Sequence, residues 1–369
     1  MPRVLLIAPQ WIGDAVMAQP LVALLAARGE QITALGMPSV APVLRAMPGV
    51  IEVIEAPFRH GKLDLALRWR LAAQLRERRF ERAYVLGNNL KARLVPWLAG
   101  IPRRIGHAGE ARGLLLTDVI RTDVVRRTLP QPEPMALSPL SCRIPSASPA
   151  ARPDMRLHYA ALATAGCSGL VGSLPEPTLA IADDKAHAAR RRFGLPRRWI
   201  ALCPGAEYGP AKQWPVGHYA ALAALAQRAG YAVAVLGTAR DAAAGQAIAA
   251  QAAGAIDLCG ATSLGEAIAL LASSSGVVSN DSGLMHVAAA LGRPTLGLYG
   301  STDPRHTPPA AHRSTTLWLQ LDCSPCFART CPLGHLHCLQ QITPEAAWHA
   351  LVPLLNAETA PPRSRSSPG

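Results

Sequence analysis

Four stretches of this 369-residue chain carry residue types that can do chemistry. The first is Pro9-Gln10-Trp11-Ile12-Gly13-Asp14, where a short apolar run gives way to a helical pattern. A carboxylate at that point is either a helix N-cap or a general base at the mouth of a cleft. The second is the Gly/Pro-rich loop from Pro204 to Pro215, whose sole cation is Lys212. Gly205 and Gly209 leave backbone N–H groups there free to face an anion, and an ammonium suits a phosphate as a point charge; a solvated surface lysine is the plainer reading. The third is Asn280-Asp281-Ser282-Gly283-Leu284-Met285-His286, a polar turn entering an Ala- and Leu-rich helix that Gly292 and Pro294 terminate. Asp281 or Ser282 can cap that helix, and its free N–H groups and dipole favour an anion. His286 then either donates to such an anion or sits on the helix surface. The fourth is Cys323-Ser324-Pro325-Cys326 followed by Cys331 and Cys338, with His335 and His337 between the last two. Thiolates so spaced can converge on zinc, but the spacing matches no standard zinc pattern and Pro325 and Pro332 restrict it. Reduced, partly buried cysteines are the preferred reading of this cluster.

Two common nucleotide signatures are missing. No G-x-G-x-x-G follows the first strand-like run, and no G-x-x-x-x-G-K-[ST] occurs. Half the residues are apolar and 17% are charged, the profile of a folded protein. No apolar run reaches the roughly 18–20 residues that span a bilayer, and Val4 to Ala8 is too short for a signal peptide. A cytoplasmic protein with eight reduced cysteines is therefore expected. The net charge is +13; residues 1–150 hold 20 Lys and Arg against 11 Asp and Glu, the remainder 17 against 13. A basic first half favours an acidic partner: nucleic acid, an anionic lipid surface or a phosphorylated substrate. No nucleic-acid-binding motif accompanies the charge, so nucleic acid is not called for.

The elements that must position these residues alternate along the chain. Strand-like runs occur at Val4–Ala8, Ile32–Leu35, Val50–Ile54 and Ala83–Leu86. Helical patterns lie over Ala15–Ala27, Ser39–Met47, Leu65–Arg79 and Lys91–Leu98. The alternation restarts with strands at Trp199–Cys203, Tyr231–Leu236, Ile256–Leu258, Gly276–Ser279 and Thr295–Tyr299. Helices over His218–Ala229, Asp241–Ala252 and Leu264–Ala272 separate them. Such a pattern implies α/β architecture, two doubly wound parallel sheets in tandem, with ligands at the carboxyl ends of strands. The expected units are residues 1–165, with a Pro/Ser-rich insertion at 129–153, and residues 180–343. A closing helix over 344–356 and a disordered tail over 357–369 follow.

Together these stretches resemble the ADP-heptose:lipopolysaccharide heptosyltransferases, most closely the branch that adds the second heptose. Carrying the resemblance are Pro9-Gln10-Trp11-Ile12-Gly13-Asp14; Ala83-Tyr84-Val85-Leu86-Gly87-Asn88-Asn89-Leu90-Lys91; Ala99-Gly100-Ile101-Pro102; Pro204-Gly205-Ala206-Glu207-Tyr208-Gly209-Pro210-Ala211-Lys212; and Asn280 through Leu291, extended by Tyr299-Gly300-Ser301-Thr302 and Thr307-Pro308-Pro309. The resemblance implies two Rossmann-like domains facing across a cleft, the GT-B glycosyltransferase fold. It implies inverting transfer of L-glycero-D-manno-heptose from ADP-heptose to the first heptose of the lipopolysaccharide inner core, without metal or cofactor. The acceptor, lipid A-Kdo-heptose, would be met at the cytoplasmic face of the inner membrane.

Carried over by position, Asp14 is the catalytic base. Gly205, Lys212, Asp281, Ser282, Gly283 and His286 bind the donor, and Asp241 meets its ribose. Gly13, Asn88, Asn89 and Lys91 contact the acceptor. Gly87-Asn88-Asn89-Leu90-Lys91-Ala92 departs from the family's Pro-Asn-Ser-x-Lys-Ser, and the 129–153 insertion is atypical. The rival readings are the family branch that adds the first heptose, another nucleotide-sugar transferase, and a non-catalytic nucleotide-sugar binder.

Overall fold

Val4, Leu5 and Leu6 are fully buried in succession, which only a strand covered on both faces allows. Around them the computed structural model, which describes residues 1–58, 62–109, 113–120, 152–165 and 174–357, builds a parallel sheet. Its strands are β1 (Arg3–Ile7), β2 (Gln31–Gly36), β3 (Val50–Glu55), β4 (Arg82–Val85), β5 (Arg103–His107) and β6 (Asp118–Ile120), in the order β3-β2-β1-β4-β5-β6. A second parallel sheet holds β7 (Trp199–Cys203), β8 (Ala232–Val235), β9 (Ile256–Asp257), β10 (Gly276–Asn280), β11 (Thr295–Tyr299) and β12 (Ser314–Trp318), in the order β12-β11-β10-β7-β8-β9. Counted from its own first strand, each sheet has the same order. Strand direction of travel reverses beside β1 and β4 in one sheet and beside β7 and β10 in the other. Crevices open at the carboxyl ends of those pairs.

Three apolar cores hold the layers. One backs the first sheet through Leu71, Leu75 and Val95, and one backs the second through Tyr219, Ile248 and Leu351. The third is continuous between the units, running from Val16, Leu21 and Leu44 to Ile268, Leu271 and Val287. The chain crosses along this shared core. There the Leu179 N–H donates to the Ala290 carbonyl (2.8 Å) and the Ala180 N–H to the Ala46 carbonyl (2.8 Å).

Several elements differ from the pattern in the sequence. The segment expected as one helix over Ala15–Ala27 is two, Ile12–Met17 and Gln19–Ala27. They meet at Ala18, just before Pro20, whose ring cannot continue the first helix's hydrogen bonding. Strands β5, β6 and β12 and the helix Asp183–Arg192 carry too few consecutive apolar residues to announce themselves. The closing helix runs Pro344–Asn356, capped by Thr343. All but the last two residues of the 129–153 insertion, and all but the first of the 357–369 tail, lie outside the described residues.

Where the units meet, two helix N-termini touch. A Cβ on Gly283 would lie 2.8 Å from the Ile12 Cβ, and one on Gly13 would lie 2.9 Å from the His286 ring. Each glycine lets the other unit's helix approach closer than any side chain allows. Gly283→Ala should therefore cost about 1–3 kcal/mol through overpacking. A lowered urea midpoint would register it, and a midpoint unchanged from the parent chain would refute this reading of the contact.

Candidate active site

Asn280, the last residue of β10, is fully buried and fastens the loop that follows β7. Its Oδ1 accepts from the Trp214 N–H (3.0 Å) and the Tyr219 hydroxyl (3.0 Å), while its Nδ2 donates to the Pro204 carbonyl (2.5 Å). Both ends of the Pro204–Trp214 loop are thereby tied to one side chain, and Lys212 is held over the crevice. Lys212 Nζ donates to Asp281 Oδ2 at 2.5 Å. Thr302 Oγ1 donates to the same oxygen (2.7 Å), and His286 Nε2 stands 3.7 Å from Oδ1. Burial alone would raise the Asp281 carboxyl. The imidazole of His286 and the ammonium of Lys212 outweigh it and hold the group well below the usual carboxylate range.

Asp281 therefore does not cap the next helix. Ser282 is the N-cap of Gly283–Ala290, and its hydroxyl pairs with Ser279 Oγ (3.0 Å) rather than with the helix. The first-turn N–H groups are left without a side-chain cap, with the positive dipole end behind them. That is an anion site.

Across the contact lies Asp14. Trp11 is the N-cap of Ile12–Met17, so Asp14 is a first-turn residue, not the cap. Its carboxyl is half-buried, and that burial raises its pKa above the ordinary value. His286, His306 and Lys212 pull it back, while Asp281 pushes it further up. His306 is fixed by the adjoining segment: its Nδ1 donates to the Pro153 carbonyl (2.5 Å), and its own carbonyl accepts from the Met155 N–H (3.0 Å). His158, in the same segment, is pushed down to about 3 by burial and by His107 and His306, so it stays neutral. A carboxylate facing two imidazoles and a lysine, opposite an uncapped helix start, can take a proton beside an anionic leaving group.

The remaining candidates divide. Asp241 follows β8 and accepts from the Thr238 N–H and hydroxyl (2.8 Å each). A Cβ on Gly205 would lie 2.7 Å from its Oδ2, so the loop glycine and this carboxylate share one corner of the crevice. In the first unit, a cavity of about 300 Å³ at the carboxyl ends of β1 and β4 is lined by Gln10, Lys62, Arg68, Asn89 and Lys91 among others. Asn89 is also the N-cap of helix Leu90–Leu98, its Oδ1 accepting from the Ala92 N–H (2.9 Å). Asn88 is exposed and lies off that lining, and Gly13 faces His286 instead. Sequence reasoning gave no role to Asn280, Thr302, His306 or Arg68. Arg68 is buried, donating from Nη1 to the Lys91 carbonyl (2.6 Å). Asn280 and Thr302 sit inside the motifs already quoted; for His306 and Arg68 the sequence holds no signal.

Comparison with known proteins identifies the family. Residues 144–337 match the model of glycosyltransferase family 9 (heptosyltransferase). Lipopolysaccharide heptosyltransferase 2 of Escherichia coli K12 is 38% identical over 97% of this chain and 100% of its own length. The chain belongs to glycosyltransferase family 9, the heptosyltransferases. It is a glycosyltransferase with the GT-B-like fold of that family. The solved Escherichia coli ADP-heptose lps heptosyltransferase II superposes with a TM-score of 0.79 at 36% identity, covering 97% of this chain and 100% of that one. Lipooligosaccharide heptosyltransferase 2 of Haemophilus influenzae is 36% identical over 86% of this chain and 88% of its own. Similarity to lipopolysaccharide heptosyltransferase 1 of Pseudomonas aeruginosa, at 40% identity, extends over 17% of the chain.

The candidate site depends on the buried Asp281 carboxylate. Asp281→Ala leaves Lys212 and His286 without their counter-charge and should cost about 3–5 kcal/mol at pH 7. Because the folded carboxyl is depressed, its stabilisation is present above the unfolded pKa of about 3.9 and is lost as pH falls through the folded value. Denaturation curves of parent and variant should differ from pH 5 to 8 and converge in acid. A constant difference down to pH 2 would remove the carboxylate's charge from the explanation.

Proposed function

We propose that this chain transfers heptose from ADP-heptose to the first heptose of the lipopolysaccharide inner core by a single in-line displacement with inversion. The observation that carries the reading is the juxtaposition of Asp14, on one unit, with the uncapped helix start and Lys212 on the other. Asp14 takes the proton of the acceptor hydroxyl as that oxygen attacks the anomeric carbon. The bond to ADP breaks, and the diphosphate's developing charge is held by Lys212, His286, the loop amide at Gly205 and the N–H groups beyond Ser282, beginning at Gly283. Asp281 contributes by holding Lys212 and His286, and Asp241 meets the ribose beside Gly205. On the acceptor side, Asn89 and Lys91 line the first unit's cavity, and Lys62 and Arg68 add positive charge suited to an acceptor bearing acidic sugars and phosphates. Asn88 and Gly13 flank that path. Among the described residues no helix is long and apolar enough to cross a membrane. We place the enzyme at the cytoplasmic face of the inner membrane, reaching its lipid-linked acceptor from the surface.

The rivals are separated by the acceptor. Incubated with ADP-heptose, the protein should add one heptose to Kdo-lipid A that already bears a heptose and none to the heptose-free form, read by mass spectrometry. Transfer to the heptose-free acceptor would instead assign it to the first step, and absence of any transfer would leave a binder. Asp14→Asn should lower kcat by about 10²–10⁴ while ADP-heptose binding persists; near-parent turnover would strip Asp14 of its role. Because burial raises the Asp14 carboxyl, the base is lost as pH falls through a value above the ordinary 3.8. The acid limb of kcat/KM should accordingly lie on the high side of a free aspartate.

A further inference from the structure

The second unit holds a small cavity of about 20 Å³, walled by Cys323, Cys326, Cys331 and Cys338 together with His335 and Ser301. Its volume admits one water or one ion and no organic ligand. One feature makes it more than a gap between loops. Ser301 is 1% exposed, and its Oγ has no hydrogen-bond partner, an orphaned polar atom beside the cysteines. All four cysteines are free. Among the described residues no group of three or more Cys, His, Asp or Glu side chains is already arranged to hold an ion, and binding here requires the four sulfurs that line the cavity to turn inward.

We propose that Cys323, Cys326, Cys331 and Cys338 bind one thiophilic divalent metal, zinc or iron, as a structural tetrathiolate. Four thiolates select such ions over hard cations. Binding releases the thiol protons to solvent. The ion would stiffen a loop that touches the donor side of the crevice at several points. Phe327 accepts from the Tyr208 hydroxyl (2.6 Å) and donates its N–H to the Ser301 carbonyl (2.7 Å); Arg329 accepts from the Ala211 N–H (3.0 Å); and Ser324 Oγ donates to the Gly300 carbonyl (2.5 Å). Lys212 is the next residue after Ala211, and Thr302 the next after Ser301. The ion thus braces two of Asp281's partners and takes no part in group transfer.

Metal analysis of the full chain, purified reduced and without chelator, tests this independently of any transfer assay. About one equivalent of zinc or iron is expected, and the two elements are told apart by the same measurement. Cys326→Ser, at an exposed thiol tolerant of replacement, should lower that content at least tenfold, whereas Cys259→Ser, outside the cluster, should not. Cobalt loaded into the parent chain should show the absorption of tetrahedral thiolate coordination. Absence of metal both as purified and after anaerobic addition of Zn²⁺ or Fe²⁺ would overturn the proposal, as would equal metal content in Cys326→Ser. Full metal with no heptose transfer would overturn the reading of the crevice and leave the metal site standing.

Discussion

One buried carboxylate organises the active crevice. Asp281 draws Lys212 from the loop after β7, Thr302 from the turn after β11 and His286 from its own helix onto two oxygens. An unpaired charge at that depth is strongly destabilising, so these partners are obligatory rather than optional. Since Asp281 is spent on them, the helix start beside it stays uncapped, and its amides remain available to a substrate. A structural bond and a vacant hydrogen-bonding surface are produced by the same side chain.

The fold was readable because parallel sheets bury both faces of their central strands. β7 and β11 coincide with their apolar runs residue for residue, and β1 and β10 lie within one residue of theirs at either end. Two of the edge strands are different. β6 is Asp118–Ile120, half-exposed, and β12 opens on Ser314-Thr315-Thr316 before its two apolar residues. Their strand character comes from pairing with β5 and β11, a tertiary fact that no local window contains. The break at Ala18 was foreseeable from Pro20, but the regular apolar pattern on both sides of it obscured the signal.

The crevice was legible to the extent that its residues share a loop or helix turn. Lys212, Asp281, Ser282 and His286 come from stretches whose composition already suggested an anion. Their division of labour was not legible. Whether Asp281 caps a helix or anchors a lysine depends on Lys212 arriving from 69 positions away. Similarly, spacing left Asp14 as either a cap or a base, since aspartate favours the cap position, and Trp11 occupies that position. Gly13 read as an acceptor contact and is set against a histidine of the other unit. His306 could not be found at all, for its orientation comes from the segment around Pro153.

The touching glycines carry a mechanical consequence. Gly13 and Gly283 put the helix start that bears Asp14 in van der Waals contact with the uncapped start of Gly283–Ala290. If one unit swings on the other, that contact is the natural fulcrum, because atoms at a pivot travel least. The mouth of the crevice can then gape while the spacing between Asp14 and the helix start at Gly283 barely changes. Opening of the mouth and alignment of the two helix starts are then mechanically uncoupled.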